Sequence, residues 1–161
     1  MLGATQSEPP LPAMSTSVRF GRDRAHGAGP LAAVADALAD MHAETALIVA
    51  GDAPHVPAAL LGAMRDALAA GDADVLALRD GLAVRPMPIA VRCGTAGREA
   101  ASLVAHGILR LGVLVESAAL RLDHRDEAWW RRWDPDGEWR RDVDVPADLK
   151  GGARGGAAGP G

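Results

Sequence analysis

Residues 45–61 read TALIVAGDAPHVPAALL. TALIVA, at 45–50, is a continuous apolar run, the signature of a strand buried on both faces of a parallel sheet. It breaks off at Gly51-Asp52-Ala53-Pro54. Pro57 then opens a helix, AALLGAMRDALAA, which Gly71 closes in the usual place for a C-terminal glycine. An aspartate at the end of such a strand is a cap, a turn residue or a ligand for something positively charged. Spacing alone favours the turn role. The rival role follows from a rule of open α/β sheets, in which ligands bind beyond the carboxyl ends of the strands. Gly51 allows a turn and close approach there, and the two prolines stiffen the loop that carries the carboxylate.

Working outward, the alternation continues on both sides. Pro30 is placed as the first residue of a helix, where its missing N–H costs nothing. PLAAVADALADMHAE keeps apolar residues at 31, 34, 35, 38 and 41, a helical spacing. Asp74–Leu78 reads as a second strand and 86–92, PMPIAVR, as a third, with a turn at Arg79-Asp80-Gly81 between them. Two helical pieces divided near Gly107 fill Thr95 to about Ser117, and Leu120–Leu122 is an edge strand. A further short strand is expected at Val18-Arg19-Phe20. Strand and helix in alternation predict an α/β fold with a mainly parallel sheet.

Composition bounds the function. The chain has 161 residues, 48% hydrophobic and 24% charged, with a formal net charge of −4. That length suits one domain with a real core. The charge gives no basic field, so nucleic acid is not an expected partner. No run approaches the roughly 18 apolar residues that span a bilayer, and the N-terminus lacks the pattern of a signal peptide. A cytoplasmic protein is expected, with no membrane partner. Cys93 stands alone, which excludes an internal disulfide and a multi-cysteine zinc site. Residues 1–17 and the Gly/Ala-rich 150–161 are too poor in apolar surface to offset the entropy of ordering them, so the folded domain is expected at 18–149.

Four segments occur in a telling order: GPLAAVADAL at 29–38, ALIVAGDAPHVPAALL at 46–61, DGLAVRPMPIAVR at 80–92 and DVDVPADL at 142–149. Together they resemble the molybdenum cofactor guanylyltransferases and related MobA-like nucleotidyltransferases. The resemblance implies a doubly wound α/β domain of the nucleotide-diphospho-sugar transferase kind. It implies transfer of GMP or CMP from GTP or CTP to molybdopterin, with release of pyrophosphate. Carried over by residue, Asp52 is the catalytic aspartate and a Mg²⁺ ligand, and Asp144 is the second metal ligand. Gly29 and Pro30, with Gly51 and Asp52, border the nucleotide, and Arg85 and Pro86 lie by the substrate. Two carboxylates holding Mg²⁺ against a triphosphate is sensible chemistry for an in-line displacement.

The family's glycine-rich LAGGxSxRMGxxK loop has no match in residues 1–28, which implies an N-terminally truncated form of the fold. In the family topology the strand before that loop would lie beside 45–50. Its loss would leave an apolar edge open to association, favouring a homo-oligomer or a completing subunit. The family's closing threonine is Val145 here. The five histidines show no metal-ligand spacing, and His55 reads as a solvent-facing loop residue. Cys93 reads as a packed side chain.

The segment DEAWWRRWDPDGEWRR at 126–141 holds all four tryptophans, interleaved with arginine. It reads either as a cover for the open end of the sheet or, between Trp129 and Trp139, as a contact for a partner such as a molybdoenzyme. A non-catalytic interaction protein of this fold is therefore the rival to a nucleotidyltransferase.

Overall fold

The computed structural model describes residues 29–141. The expected strand at 18–20, the closing segment 142–149 with Asp144, and both tails lie outside the described residues. In chain order the elements are α1 (Pro30–Ala39), β1 (Thr45–Ile48), α2 (Ala58–Ala70), β2 (Val75–Asp80), β3 (Ala83–Arg92), α3 (Cys93–Ala105), β4 (Leu122–Arg125) and α4 (Glu127–Trp130). Short 3₁₀ helices occupy Leu111–Glu116 and Glu138–Arg140. The break near Gly107 is real: α3 ends two residues before it, and Gly107 has φ +78°.

The sheet order is β1-β3-β2-β4. β3 pairs antiparallel with both β1 and β2, and β2 pairs parallel with β4. The strands β1, β2 and β4 therefore share one direction, and β3 alone opposes them. That corrects the expectation of a parallel third strand. The cause is local: β3 begins at Ala83, earlier than expected, and Asp80 pairs with Ala83 across the two-residue loop Gly81-Leu82. Gly81 has φ +60°, and a loop of two residues can join only antiparallel neighbours.

Both faces of the sheet are covered, as a doubly wound fold requires. Alternate residues of the central strands divide between them. Val75, Ala77, Ile89 and Val91 face α1, α3 and the first 3₁₀ helix, while Leu76, Leu78 and Ala90 face α2, Trp130 and Trp139. The two helices on the first face meet closely because α3 presents small residues. Ala96 and Ala100 are fully buried, and a Cβ on Gly97 would sit 3.3 Å from that of Leu38. Cys93 packs in this cluster, where burial pushes its thiol up, as expected of a packed side chain.

Charged side chains tie down the amino end of β2. The buried Asp74 carboxylate accepts from the backbone N–H of Arg121 at 3.0 Å and from its guanidinium at 3.1 and 3.2 Å, fastening β2 to the start of β4. Arg92, at the end of β3, donates to the carbonyls of Leu68, Gly71 and Ala73, covering the open carbonyls at the end of α2.

The hydrogen bonds from Arg121 hold the Asp74 carboxyl at about 2. A carboxyl lowered in the folded state stabilises the fold above its unfolded value, and that stabilisation fades as the pH falls toward 2. Asp74→Asn is expected to cost about 2 kcal/mol at pH 7, in the range for hydrogen bonds to a charged group. In urea unfolding, the gap between variant and wild type should narrow between pH 4 and pH 2.

Candidate functional site

The sheet places the functional candidates at one end. β1 and β2 run the same way, so the loops after Ile48 and Asp80 leave from the same edge. α1 returns to β1 through only residues 40–44, so the N-terminus of α1 lies at that end too. β3 reaches beyond β1: Ile48 pairs with Ile89, which leaves residues 83–88 extending past the end of β1, on the side from which the Asp52 loop leaves. Gly29, Pro30, Gly51, Asp52, Arg85 and Pro86 thus share the carboxyl end of the sheet. Asp144 lies outside the described residues.

Asp52 occupies a turn, as the residue type alone suggests. The N–H of Ala53 donates to the carbonyl of Ala50 at 3.3 Å, which makes Gly51 and Asp52 the two central residues of that turn. Its carboxylate is exposed and, among the described residues, makes no hydrogen bond or ion pair. A turn position and a ligand position are compatible here. Gly51 is not in the left-handed region, and the space over it is open. Its freedom is not used for the turn, so room for a neighbour is the property the site retains. His55 is half-buried rather than solvent-facing. Among the described residues no three His, Cys, Asp or Glu side chains gather as a metal site.

Gly29 has a firmer requirement. Its φ of 82° and ψ of 167° belong to a region almost reserved for glycine, and a Cβ there would sit 3.0 Å from both the Cβ and the carbonyl oxygen of Leu109. The Leu109 carbonyl also accepts from the N–H of Leu31 at 3.2 Å, so one of the open donors of α1 is already engaged by the protein. Pro30 takes the first helical position, as expected.

Sequence reasoning missed the charged group beside this loop. Asp80, at the carboxyl end of β2, accepts from Arg85 at 2.7 Å and from Arg140 at 2.9 Å. Arg85 and then Arg140 hold its carboxyl below the ordinary value. Arg85, the expected substrate residue, is therefore half-anchored through Asp80, with 46% of its side chain still exposed. The rule that singled out Asp52, an acidic residue just where a strand ends, would have found Asp80 too.

The tryptophans divide into two roles. Trp130 is fully buried, with its Nε1–H donating to the Arg79 carbonyl at 3.0 Å and Trp139 edge-on at 5.7 Å. Arg140 lies over Trp130, 5.2 Å from the ring centre. The buried carboxylate of Asp134 accepts from the N–H groups of Glu138 and Trp139 at 3.0 and 2.8 Å. These residues cover the sheet, as the simpler reading of the segment expected. Trp129 and Trp133, 4.6 Å apart, remain half-exposed against α2.

Comparison with known families matches residues 4–116 to the MobA-like NTP transferase domain. Among solved structures the chain is similar to molybdopterin-guanine dinucleotide biosynthesis protein A from Archaeoglobus fulgidus, at 21% identity and a TM-score of 0.65. The likeness covers 76% of this chain and 60% of that one, so this chain spans about 60% of that protein's length. Curated proteins give no significant match.

The two glycines of the site separate stability from binding space. Gly29→Ala should cost about 1–3 kcal/mol, the usual range for a strained backbone position. Gly51→Ala should change stability by less than about 0.5 kcal/mol. Urea unfolding of both variants at pH 7 checks the contrast.

Proposed function

The chain belongs to the MobA-like NTP transferase family, and we propose that it is a nucleotidyltransferase domain of molybdenum cofactor synthesis. It would move GMP or CMP from GTP or CTP to molybdopterin. A phosphate oxygen of the acceptor forms a bond to the α-phosphorus of the nucleotide. The bond from that phosphorus to the bridging oxygen breaks, and pyrophosphate leaves with the electron pair. The observation that carries this reading is the free Asp52 carboxylate, held on a turn at the carboxyl end of β1 with open space over Gly51.

The residues present suit a hard divalent cation. Asp52 is an unengaged oxygen donor, and Mg²⁺ commonly takes one or two carboxylates together with substrate phosphates. Asp52 and Asp144 would hold it. Bound there, Mg²⁺ would neutralise charge on the triphosphate. Gly29, Pro30 and Gly51 would line the nucleotide. Arg85, steadied by Asp80, and Pro86 would face the acceptor.

A second reading has its own observation. Trp129 and Trp133 border a shallow cleft with Ala59, Ala63 and Asp66 of α2, a surface the catalytic reading does not use. A non-catalytic relative could meet a molybdoenzyme or a completing subunit there. Trp130 is excluded from that role by its burial.

Calorimetric titration of the purified chain with GTP and with CTP tests the first reading. We expect binding that requires Mg²⁺ and weakens at least tenfold in Asp52→Asn. Silent titrations from a folded protein would overturn it. The second reading expects Asp52→Asn to leave partner binding intact and Trp129→Ala with Trp133→Ala to abolish it.

A further inference from the structure

We propose that Arg140 is a second contact for the phosphate of the acceptor, and that Asp80 is the positioning residue that aims Arg140 and Arg85 at it together. The inference rests on the nucleotidyltransferase reading and deepens it, because it names the group these side chains take: a phosphomonoester. It begins from two guanidinium groups that converge on one carboxylate. Arg85 donates to one Asp80 oxygen at 2.7 Å and Arg140 to the other at 2.9 Å. One carboxylate balances only one of the two positive charges, so the cluster keeps a net positive charge suited to an anion.

Arg140 is braced beyond what an ion pair needs. Its guanidinium lies 5.2 Å from the ring centre of the fully buried Trp130, and its Nε–H donates to the carbonyl of Gly137 at 3.3 Å. Gly137 has φ +68°, and a Cβ there would collide with the Arg140 guanidinium. Glycine thus keeps open the place that the guanidinium occupies. These contacts use Nε and Nη1 of Arg140 and leave Nη2 without a hydrogen bond among the described residues. Arg85 uses Nη2 alone, in the same sense. The two side chains are 32% and 46% exposed, for Arg140 and Arg85, so both remain open to a ligand. A long side chain already held in place has less rotamer freedom left to lose on binding.

The position suits the acceptor. Asp80 ends β2, and the loops after β1 and β2 leave the sheet at the same end. Trp130 belongs to the sheet face that α2 covers, and the Asp52 loop leads into α2. The arginine pair therefore lies at the end of the sheet that carries Asp52, on the face toward which its loop runs. A phosphomonoester has three non-ester oxygens. One attacks the α-phosphorus in the proposed transfer, which leaves two to be held. Guanidinium forks match phosphate oxygens in geometry as well as charge, so two of them hold two oxygens and leave the third free. Their charge also offsets repulsion between the incoming phosphate and the triphosphate. Asp80 meets neither reacting group and acts through the two arginines.

Titration of the ¹⁵N-labelled full chain with phenyl phosphate, followed through the arginine Nε–Hε NMR signals, tests the proposal. The Arg85 and Arg140 signals should both shift and saturate, in the wild type and in Asp52→Asn alike. Arg140→Gln should weaken phenyl phosphate binding at least tenfold and change Mg²⁺-dependent GTP binding less than twofold. Should Arg140→Gln fail to fold, Arg140→Lys is read instead, with at least a threefold loss because the charge stays and the fork goes. Asp80→Asn should move both arginine signals toward the free-arginine position before any ligand is added and weaken phenyl phosphate at least threefold. Asp80→Glu should restore most of that affinity. An Arg140 signal that phenyl phosphate leaves unmoved, or equal affinity in Arg140→Gln and the wild type, would overturn the proposal. So would GTP binding that falls with Arg140→Gln, which would give the arginines to the nucleotide. Phenyl phosphate held by the arginine pair of a chain that binds no GTP would support the phosphate site and overturn the nucleotidyltransferase reading alone.

Discussion

The two-residue turn at Gly81-Leu82 is the constraint on which the rest of the structure depends. It sends β3 back against β2, and β3 then lies between β2 and β1 and bonds to both. The strands on either side of it consequently point the same way, and α2 crosses from one to the other. Their carboxyl ends come to one side, and β3 extends past the end of β1 there.

The carboxyl end of the sheet is held by charge on one flank and left open on the other. Asp80 joins Arg85 on β3 to Arg140 on the closing segment, and Arg140 is steadied in turn by the face of Trp130. Exposed ion pairs contribute little to stability, but a carboxylate that fixes two guanidinium groups at once sets their direction. Asp52 has no such partner among the described residues. The contrast fits a division of labour in which one acidic residue arranges the protein and the other meets a ligand.

Much of this was legible in the sequence, for identifiable reasons. Pro30, Gly71 and the period of 31, 34, 35 and 38 mark helix limits through backbone chemistry that tertiary contacts rarely override. The run at 45–50 and the sudden Gly-Asp placed Asp52 correctly at the end of a strand. The direction of β3 was misread because a strand buried on both faces has the same apolar pattern whichever way it runs. Only the brevity of the loop at Gly81 carried the answer. The Asp80–Arg140 contact joins residues 60 apart and has no local signature. Trp130 could not be told from Trp129, since an irregular segment has no period to assign its faces. Asp144, from the closing motif, lies outside the described residues, so the acidic pair rests on family likeness.

The central claim is that Asp52 holds the metal of a bound nucleotide. Crystals soaked in Mn²⁺ and GTP, with Mn²⁺ standing in for Mg²⁺, address it directly through the anomalous signal of the ion. The account predicts a peak about 2.2 Å from an Asp52 carboxylate oxygen, at ordinary coordination distance. A Mn²⁺–GTP complex bound elsewhere on the molecule, with Asp52 bare, would contradict it.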